Sequence, residues 1–254
     1  DEYKNAREKD DSITKAIKEK FKENGYPVQE DFIQGSLATR TTIKEKGKDF
    51  DIDRAIVIKE DDAPEDPIIP KQVVLDILEA RGFQNAKIKK PCVTADYKNE
   101  DLHIDIPIYS KSALGYYKLA VGKRNSSDEN KEWAESDPRG LIDWVNNSDN
   151  YGSYADEKLY QFKRIVRYIK RWRNITFHEN VCRKIFSISL TVMLKEKFQP
   201  SIDEEGLAND LKALKHTIEQ ILDYSTYFVS QPENQWLVEV KLPVSPYRDI
   251  FTGS

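Results

Sequence analysis

Asp51 and Asp53 stand two residues apart in the stretch Phe50-Asp51-Ile52-Asp53-Arg54-Ala55-Ile56-Val57-Ile58, which passes from strict alternation into an unbroken apolar run. On a strand, alternate side chains share a face, so the two carboxylates point one way and Ile52 points into the core. Carboxylates held side by side repel each other, and a divalent cation relieves that repulsion. Hard oxygen ligands suit Mg²⁺, which keeps several waters and completes its shell from phosphates. Leu102-His103-Ile104-Asp105-Ile106 offers a third carboxylate between apolar neighbours. Three carboxylates from two neighbouring strands can hold two ions about 3.5–4 Å apart, a pair that clamps the attacking and leaving oxygens of a phosphoryl transfer. An Asp-X-Asp pair alone is common on exposed strand faces and in turns, so its context carries the weight. Upstream lies Gly35-Ser36. A glycine turn lets backbone amides approach a phosphate with no Cβ in the way, and a serine adds a hydroxyl donor for the same anion. Together these residues describe a polyphosphate site beside a metal site.

The elements that must position them follow from periodicity. Ile13, Ile17 and Phe21 recur every four residues among Lys and Glu, which predicts an amphipathic helix over 1–23. A short extended segment, VQEDFIQGS, closes at Gly35, and DFDIDRAIVI reads as a strand. DDAPEDPIIP reads as a Pro-rich acidic loop, and KQVVLDILEARG as a helix stopped by Gly82. AKIKKPCVTADY and DLHIDIPIYS read as one strand each, separated by the turn-like KNED, and YYKLAVGKRNSSDENKEW as a strand or short helix entering a polar loop. SDPRGLIDWV reads as a capped, structural turn with an amphipathic entry. Residues 154–173, 181–198 and 207–229 carry helical apolar spacing, with loops at NITFHEN and QPSIDEEG. The expected organisation is a mixed α and β lobe over 1–153 and a helical lobe over 154–254. No internal repeat or low-complexity segment interrupts it.

The run GSLATRTTIKEKGKDFDIDRAIVI followed by DLHIDIPIY resembles the signature of the polymerase-β-type nucleotidyltransferases: Gly-Ser, a spacer, Asp-X-Asp, then a third Asp on a later strand. More narrowly it resembles the cGAS/DncV-like nucleotidyltransferases (CD-NTases) and their animal relatives, the oligoadenylate synthetases. The resemblance implies an α+β fold: a polymerase-β-like core, a twisted mixed sheet with helices, plus a C-terminal helical lobe, with the active site in the cleft between them. It implies that Gly35 and Ser36 contact the donor triphosphate and that Asp51 and Asp53 bind both of two Mg²⁺ ions, which Mn²⁺ can replace. It also implies that Asp105 binds the catalytic ion and helps deprotonate the attacking hydroxyl. Asp49 shares the face of the pair and stays an outside candidate. Thr41 and Thr42 match the small polar residues that follow the Gly-Ser turn in the family, without an assigned role.

LYQFKRIVRYIKRWRN places Phe162, Ile165, Ile169 and Trp172 at three- and four-residue spacing, with Lys163, Arg167, Lys170 and Arg171 on other faces. Such a helix is by default a core helix with a solvated basic face. RYIKRW also resembles the oligoadenylate-synthetase helix whose Arg and Lys, three residues apart, reach the triphosphate, which implies that role for Arg167 and Lys170. Residues so spaced share a helix face. RKIFSISLTV resembles the segment that gives one more polar contact to the phosphates, from Lys184 or Ser187. His103 shares the face of Asp105 by alternation but reads first as a surface histidine. Tyr116, Tyr117 and Tyr151 are candidates to stack on a base among 13 tyrosines.

Composition limits the function classes. At 254 residues, 39% hydrophobic and 33% charged, the chain can bury a sizeable core. There is no apolar run of about eighteen residues to cross a membrane, and the charged opening DEYKNAREKD argues against a secretory signal. The chain lacks an initial Met and stops at FTGS, which suggests trimming at one or both ends. Cys92 and Cys182 sit in different local patterns, which makes a disulfide framework or zinc site the poorer reading and a reducing, cytoplasmic location the simpler one. A net charge of −4 argues against stable duplex-DNA binding. It also distinguishes the chain from animal cGAS, which the resemblance describes with a basic surface and a zinc-binding insertion. The resemblance implies NTP substrates, a cyclic di- or oligonucleotide product, pyrophosphate release and an anti-phage role in which the product activates a separate effector (CBASS). Two alternatives stay open: a nucleotidyltransferase acting on RNA or another macromolecule, which would need a basic, aromatic groove, and an inactive nucleotide-binding module of the same fold, which would not need three clustered acids.

Overall fold

The computed structural model describes residues 2–43, 50–97, 102–223 and 227–251. They form two compact units, one of Asp1–Ala38 with Lys44–Pro138, the other of Thr39–Ile43 with Arg139–Ser254. The second unit thus begins before the expected boundary at 153, because Val145, ahead of that boundary, is buried in its core with Phe162 and Ile165.

In the first unit, α1 (Glu2–Glu23) buries Ile13, Ile17 and Phe21, the residues whose spacing predicts it. Strand β1 (Val28–Ile33) and a single helical turn, α2 (Gly35–Ala38), lead to the ten-residue strand β2 (Phe50–Lys59). Helix α3 (Ile68–Ala80) starts inside the stretch expected to be a loop. Asp66 Oδ1 accepts from the Ile68 amide at 2.8 Å, and Pro70 occupies the first turn, where its missing N–H costs nothing. The helix stops at Gly82 as expected, with φ +76 there.

Each long apolar run after α3 proves to be two strands. Residues 84–97 form β3 (Gln84–Ile88) and β4 (Val93–Tyr97), antiparallel, with the Lys89 amide donating to the Cys92 carbonyl at 2.9 Å across the turn that Pro91 enforces. Residues 102–111 form β5 (Leu102–Ile106) and β6 (Ile108–Lys111), both parallel to β2 and separated at Pro107. Proline has no N–H to continue the ladder, but its carbonyl still accepts from the Ile56 amide at 3.1 Å. Strands β7 (Tyr117–Val121) and β8 (Glu132–Ser136) complete a mixed sheet ordered β3-β4-β5-β2-β6-β7-β8, with β1 also on β2. Strand β2 is therefore central, and Ile52, Ile56, Ile58, Ile104, Ile106 and Ile108 pack with α1 and α3 in one core. The expected turn at 98–101 lies outside the described residues.

In the second unit, α4 (Pro138–Asn146) is a helix where a capped turn is expected. Helix α5 (Ala155–Thr176) buries Phe162, Ile165 and Val166. The helix expected over 181–198 is broken into α6 (Glu179–Cys182) and α7 (Ser187–Glu196). Arg173 of α5 explains the break: its Nη1 donates to the Ile185 carbonyl at 2.7 Å, claiming an acceptor that a continuous helix would use. Helix α8 (Asp210–Asp223) ends before the expected 229, and Phe228–Gln231 and Gln235–Val238 form a hairpin, β9 and β10. Among the described residues no helix is long and apolar enough to cross a membrane.

A buried ion network ties α1 to β2. Arg54 donates to both oxygens of Asp10, which is 1% exposed, to Asp31 at 3.0 Å and to Asp11 at 3.3 Å. Burial opposes ionisation of Asp10 and raises its pKa, against the pull of Arg54. Removing one partner of a buried pair leaves the other uncompensated, so Asp10→Ala is expected to lower the unfolding free energy by about 3 kcal/mol. Urea denaturation followed by circular dichroism measures this, and a change below about 0.5 kcal/mol would show that Asp31 and Asp11 suffice for Arg54.

Candidate active site

The parallel pairing of β2 with β5 brings the three expected acids to one place. Asp51 pairs with His103 and Asp53 with Asp105, while Ile52 pairs with Ile104 beneath them. Side chains of paired residues share a face, so Asp51, Asp53 and Asp105 lie on one side of the sheet and the isoleucines, about fully buried, on the other. Asp51 is exposed and Asp53 and Asp105 are half-buried, an arrangement open to a ligand. Asp49 lies outside the described residues.

Asp105 is held from several sides. Its Oδ1 is 3.3 Å from His103 Nε2, 3.4 Å from Cys92 Sγ and 3.7 Å from Lys89 Nζ. Burial works against its charge, yet the hydrogen bonds from His103 and Thr94 and the charge of Lys89 prevail and hold its pKa down to about 2. His103 is accordingly not a surface histidine. Asp105 chiefly, with Asp96, raises its pKa to about 9 despite burial, so the ring is cationic at neutral pH. Its Nδ1 donates to Asp96 Oδ1 at 2.6 Å, and its Nε2 also meets Thr94 Oγ1 at 2.9 Å. Strand β4 supplies both partners, because it pairs Thr94 with Asp105 and Asp96 with His103. These supporting residues escape sequence reasoning, since only the β4–β5 register reveals them.

Gly35 sits against this face. It adopts φ +64, and a Cβ built on it would fall 2.2 Å from Asp53 Oδ2. The Gln34 amide donates to the Asp53 carbonyl at 2.9 Å, which fixes the turn to the strand, and Tyr109 OH donates to Gln34 Oε1 at 3.0 Å. Ser36 follows in α2. The glycine expected on phosphate-approach grounds is thus required here by the carboxylate itself.

The basic residues expected to hold phosphate belong to the second unit. Arg167 Nη1 donates to the Arg40 carbonyl at 2.9 Å, and Lys170 Nζ to Thr41 Oγ1 at 2.9 Å and the Thr41 carbonyl at 3.3 Å. Both therefore converge on residues 39–43, the segment that follows the Gly-Ser turn in the chain. Lys170 is only 5% exposed. Ser187 instead accepts from Arg173 Nη1 at 3.0 Å, and Lys184 is exposed. Among the tyrosines, Tyr117 is buried with its OH donating to Glu30, and Tyr151 accepts from Lys195 at 2.9 Å, while Tyr116 is 71% exposed.

The donor set fits a hard divalent cation: carboxylates only, adjacent in register, beside a glycine that a Cβ could not replace. As the side chains stand, however, no three His, Cys, Asp or Glu groups among the described residues converge tightly enough to hold an ion. Asp105 is engaged by His103, Cys92 and Lys89 instead.

Comparison with known proteins adds a context for this geometry. Residues 30–109, which span β1 to β6 and all three acids, match the family model described as cyclic GMP-AMP synthase DncV-like, nucleotidyltransferase domain. A cyclic GMP-AMP synthase of Escherichia albertii is 28% identical over 184 residues, which cover 68% of this chain and 38% of the relative. The fold is similar to the apo form of Vibrio cholerae DncV, with a TM-score of 0.56 and 20% identity over 86% of this chain and 58% of that one. It is also similar to the Bradyrhizobium diazoefficiens CD-NTase CdnG in complex with GTP, with a TM-score of 0.57 and 16% identity over 81% and 69% of the two chains. The chain spans less than two thirds of the length of the first two of these relatives.

Proposed function

From a chain whose residues 30–109 match the model of the DncV-like nucleotidyltransferase domain, we propose a metal-dependent enzyme that joins NTPs into a cyclic di- or oligonucleotide and releases pyrophosphate. The observation that carries this reading is the register that sets Asp53 beside Asp105, with Asp51 on the same face and Gly35 against Asp53. In this reading Asp51, Asp53 and Asp105 hold two Mg²⁺ ions. Bound Mg²⁺ supplies charge neutralisation to the phosphates and lowers the pKa of the attacking hydroxyl.

The protein's own part is positioning and electrostatics. Asp105, kept anionic by His103 and Thr94, helps deprotonate the 2′ or 3′ hydroxyl of the acceptor nucleotide, whose proton passes to solvent. That oxygen bonds to the α-phosphorus of the donor as the bond to the β-phosphate bridging oxygen breaks and pyrophosphate departs. Gly35 and Ser36 meet the donor triphosphate, and Arg167, Lys170 and either Lys184 or Ser187 add cationic or polar contacts to it. A second transfer closes the ring. The product's role in this proposal is bacterial anti-phage signalling, in which it activates a downstream effector protein.

The test is to incubate the protein with four labelled NTPs and Mg²⁺ or Mn²⁺, treat with phosphatase and separate the products, using the Asp51→Ala/Asp53→Ala protein as control. A phosphatase-resistant product absent from the control is expected. Product formed only when RNA is added would replace the reading with transfer to a macromolecule. Lys170→Ala, which removes a buried donor from Thr41, is expected to weaken apparent NTP affinity about tenfold. Unchanged affinity in nucleotide titrations would return α5 to a purely structural role.

A further inference from the structure

Lys71, on α3, is 0% exposed, and its hydrogen bonds among the described residues run to backbone carbonyls. Its ammonium donates to three backbone carbonyls: Lys89 at 3.0 Å, Lys90 at 2.8 Å and Gly122 at 2.8 Å. A lysine ammonium has three N–H donors and no acceptor, so three carbonyls satisfy it completely. Burial lowers its pKa to about 8, which still leaves it mostly protonated at neutral pH. The Gly122 amide in turn donates to the Lys90 carbonyl at 2.9 Å, and the Lys89 amide to the Cys92 carbonyl at 2.9 Å. The turn from Lys89 to Cys92 is thereby locked at both ends and from below.

That turn carries two of the groups on Asp105: Cys92 Sγ and Lys89 Nζ both approach Oδ1. We propose that Lys71 is a positioning residue for the third carboxylate, its buried ammonium fixing the Lys89–Cys92 turn so that Lys89 stands against Asp105 and competes there with the incoming cation. The inference rests on the reading of Asp105 as an ion ligand. A fully buried lysine is costly, and a core position alone would be filled more cheaply by an apolar side chain. What the ammonium adds is a fixed origin for the turn: α3 is packed into the core, so the reach from its backbone to Asp105 is set by three hydrogen bonds.

Coupling between Lys71 and Lys89, read in Mn²⁺ affinity without turnover, tests this. Free Mn²⁺ is titrated by electron paramagnetic resonance against the unchanged protein, Lys89→Met, Lys71→Met and the double variant, with circular dichroism confirming the fold of each. Lys89→Met is expected to tighten Mn²⁺ binding about three- to fivefold, because it removes a competing cation from a partly exposed site. In the Lys71→Met background the same substitution is expected to change affinity less than about twofold, since the turn no longer holds Lys89 in place. A full Lys89 effect in that background, or no Lys89 effect at all, overturns the proposal. Should Lys71→Met not fold, Lys71→Gln, which keeps an N–H donor, takes its place. Failure of both to fold also overturns the proposal and leaves Lys71 a pin of the core. Asp105→Asn is the separate control: it is expected to weaken Mn²⁺ at least tenfold, and unchanged affinity would remove the ligand reading itself, whatever the coupling.

Discussion

Asp53→Asn is expected to fold as the unchanged protein does and to lose about 10³-fold in turnover, the scale seen when one preorganised charge-stabilising group is deleted. The substitution keeps the size of the side chain, and a half-buried carboxylate beside Asp105 gains from the removal of like-charge repulsion. Stability should therefore hold or rise slightly while chemistry fails. Asp51→Asn and Asp105→Asn are expected to behave alike in turnover, although Asp105→Asn also gives up its pairing with cationic His103. Steady-state product formation from labelled NTPs, together with thermal melts, measures both halves of this expectation. Normal turnover in the folded Asp53→Asn protein would remove the β2 pair from the active site.

Gly35→Ala is expected to cost about 10²-fold in turnover through geometry alone. The added methyl would lie 2.2 Å from Asp53 Oδ2 and 2.9 Å from its Cγ, so the carboxylate must turn away from its neighbours. The same change also pays about 1 kcal/mol for an L-residue at φ +64. Gly82→Ala separates the two effects. Gly82 has φ +76, but a Cβ there meets nothing within 4 Å. It should lose comparable stability and keep its activity. If Gly82→Ala and Gly35→Ala lose activity equally, backbone strain and not the Asp53 contact explains the glycine.

The elements nearest the chemistry were legible in the sequence because their signals are local. Ile13, Ile17 and Phe21 define α1 by spacing, and the alternation around Asp51 and Asp53 defines β2 and the face its acids share. The strand that carries the third candidate acid was legible for the same reason. The support around it was not, because it arises from pairing between segments: Thr94 and Asp96 reach Asp105 and His103 only through the register of β4 on β5. The burial of Lys71 has no sign in the sequence, since lysines are seldom buried and nothing nearby announces three carbonyl acceptors. The break between α6 and α7 was hidden likewise, as Arg173, a dozen residues away, takes the Ile185 carbonyl. At Phe228–Gln231 the helical reading, which runs to 229, gives way to a strand because these residues pair with Gln235–Val238.

The pairing of β2 with β5 has a consequence for how the chain finds its site. A slip of one residue along β5 would turn every side chain over, sending Asp105 into the interior and Ile104 and Ile106 out to solvent. Leu102, two isoleucines and a charge would be misplaced at once, at a cost of several kcal/mol. The apolar alternation of Leu102, Ile104 and Ile106 thus proofreads the alignment of two segments that lie far apart in the chain, and the spacing of the acids is inherited from the packing of the core beneath them.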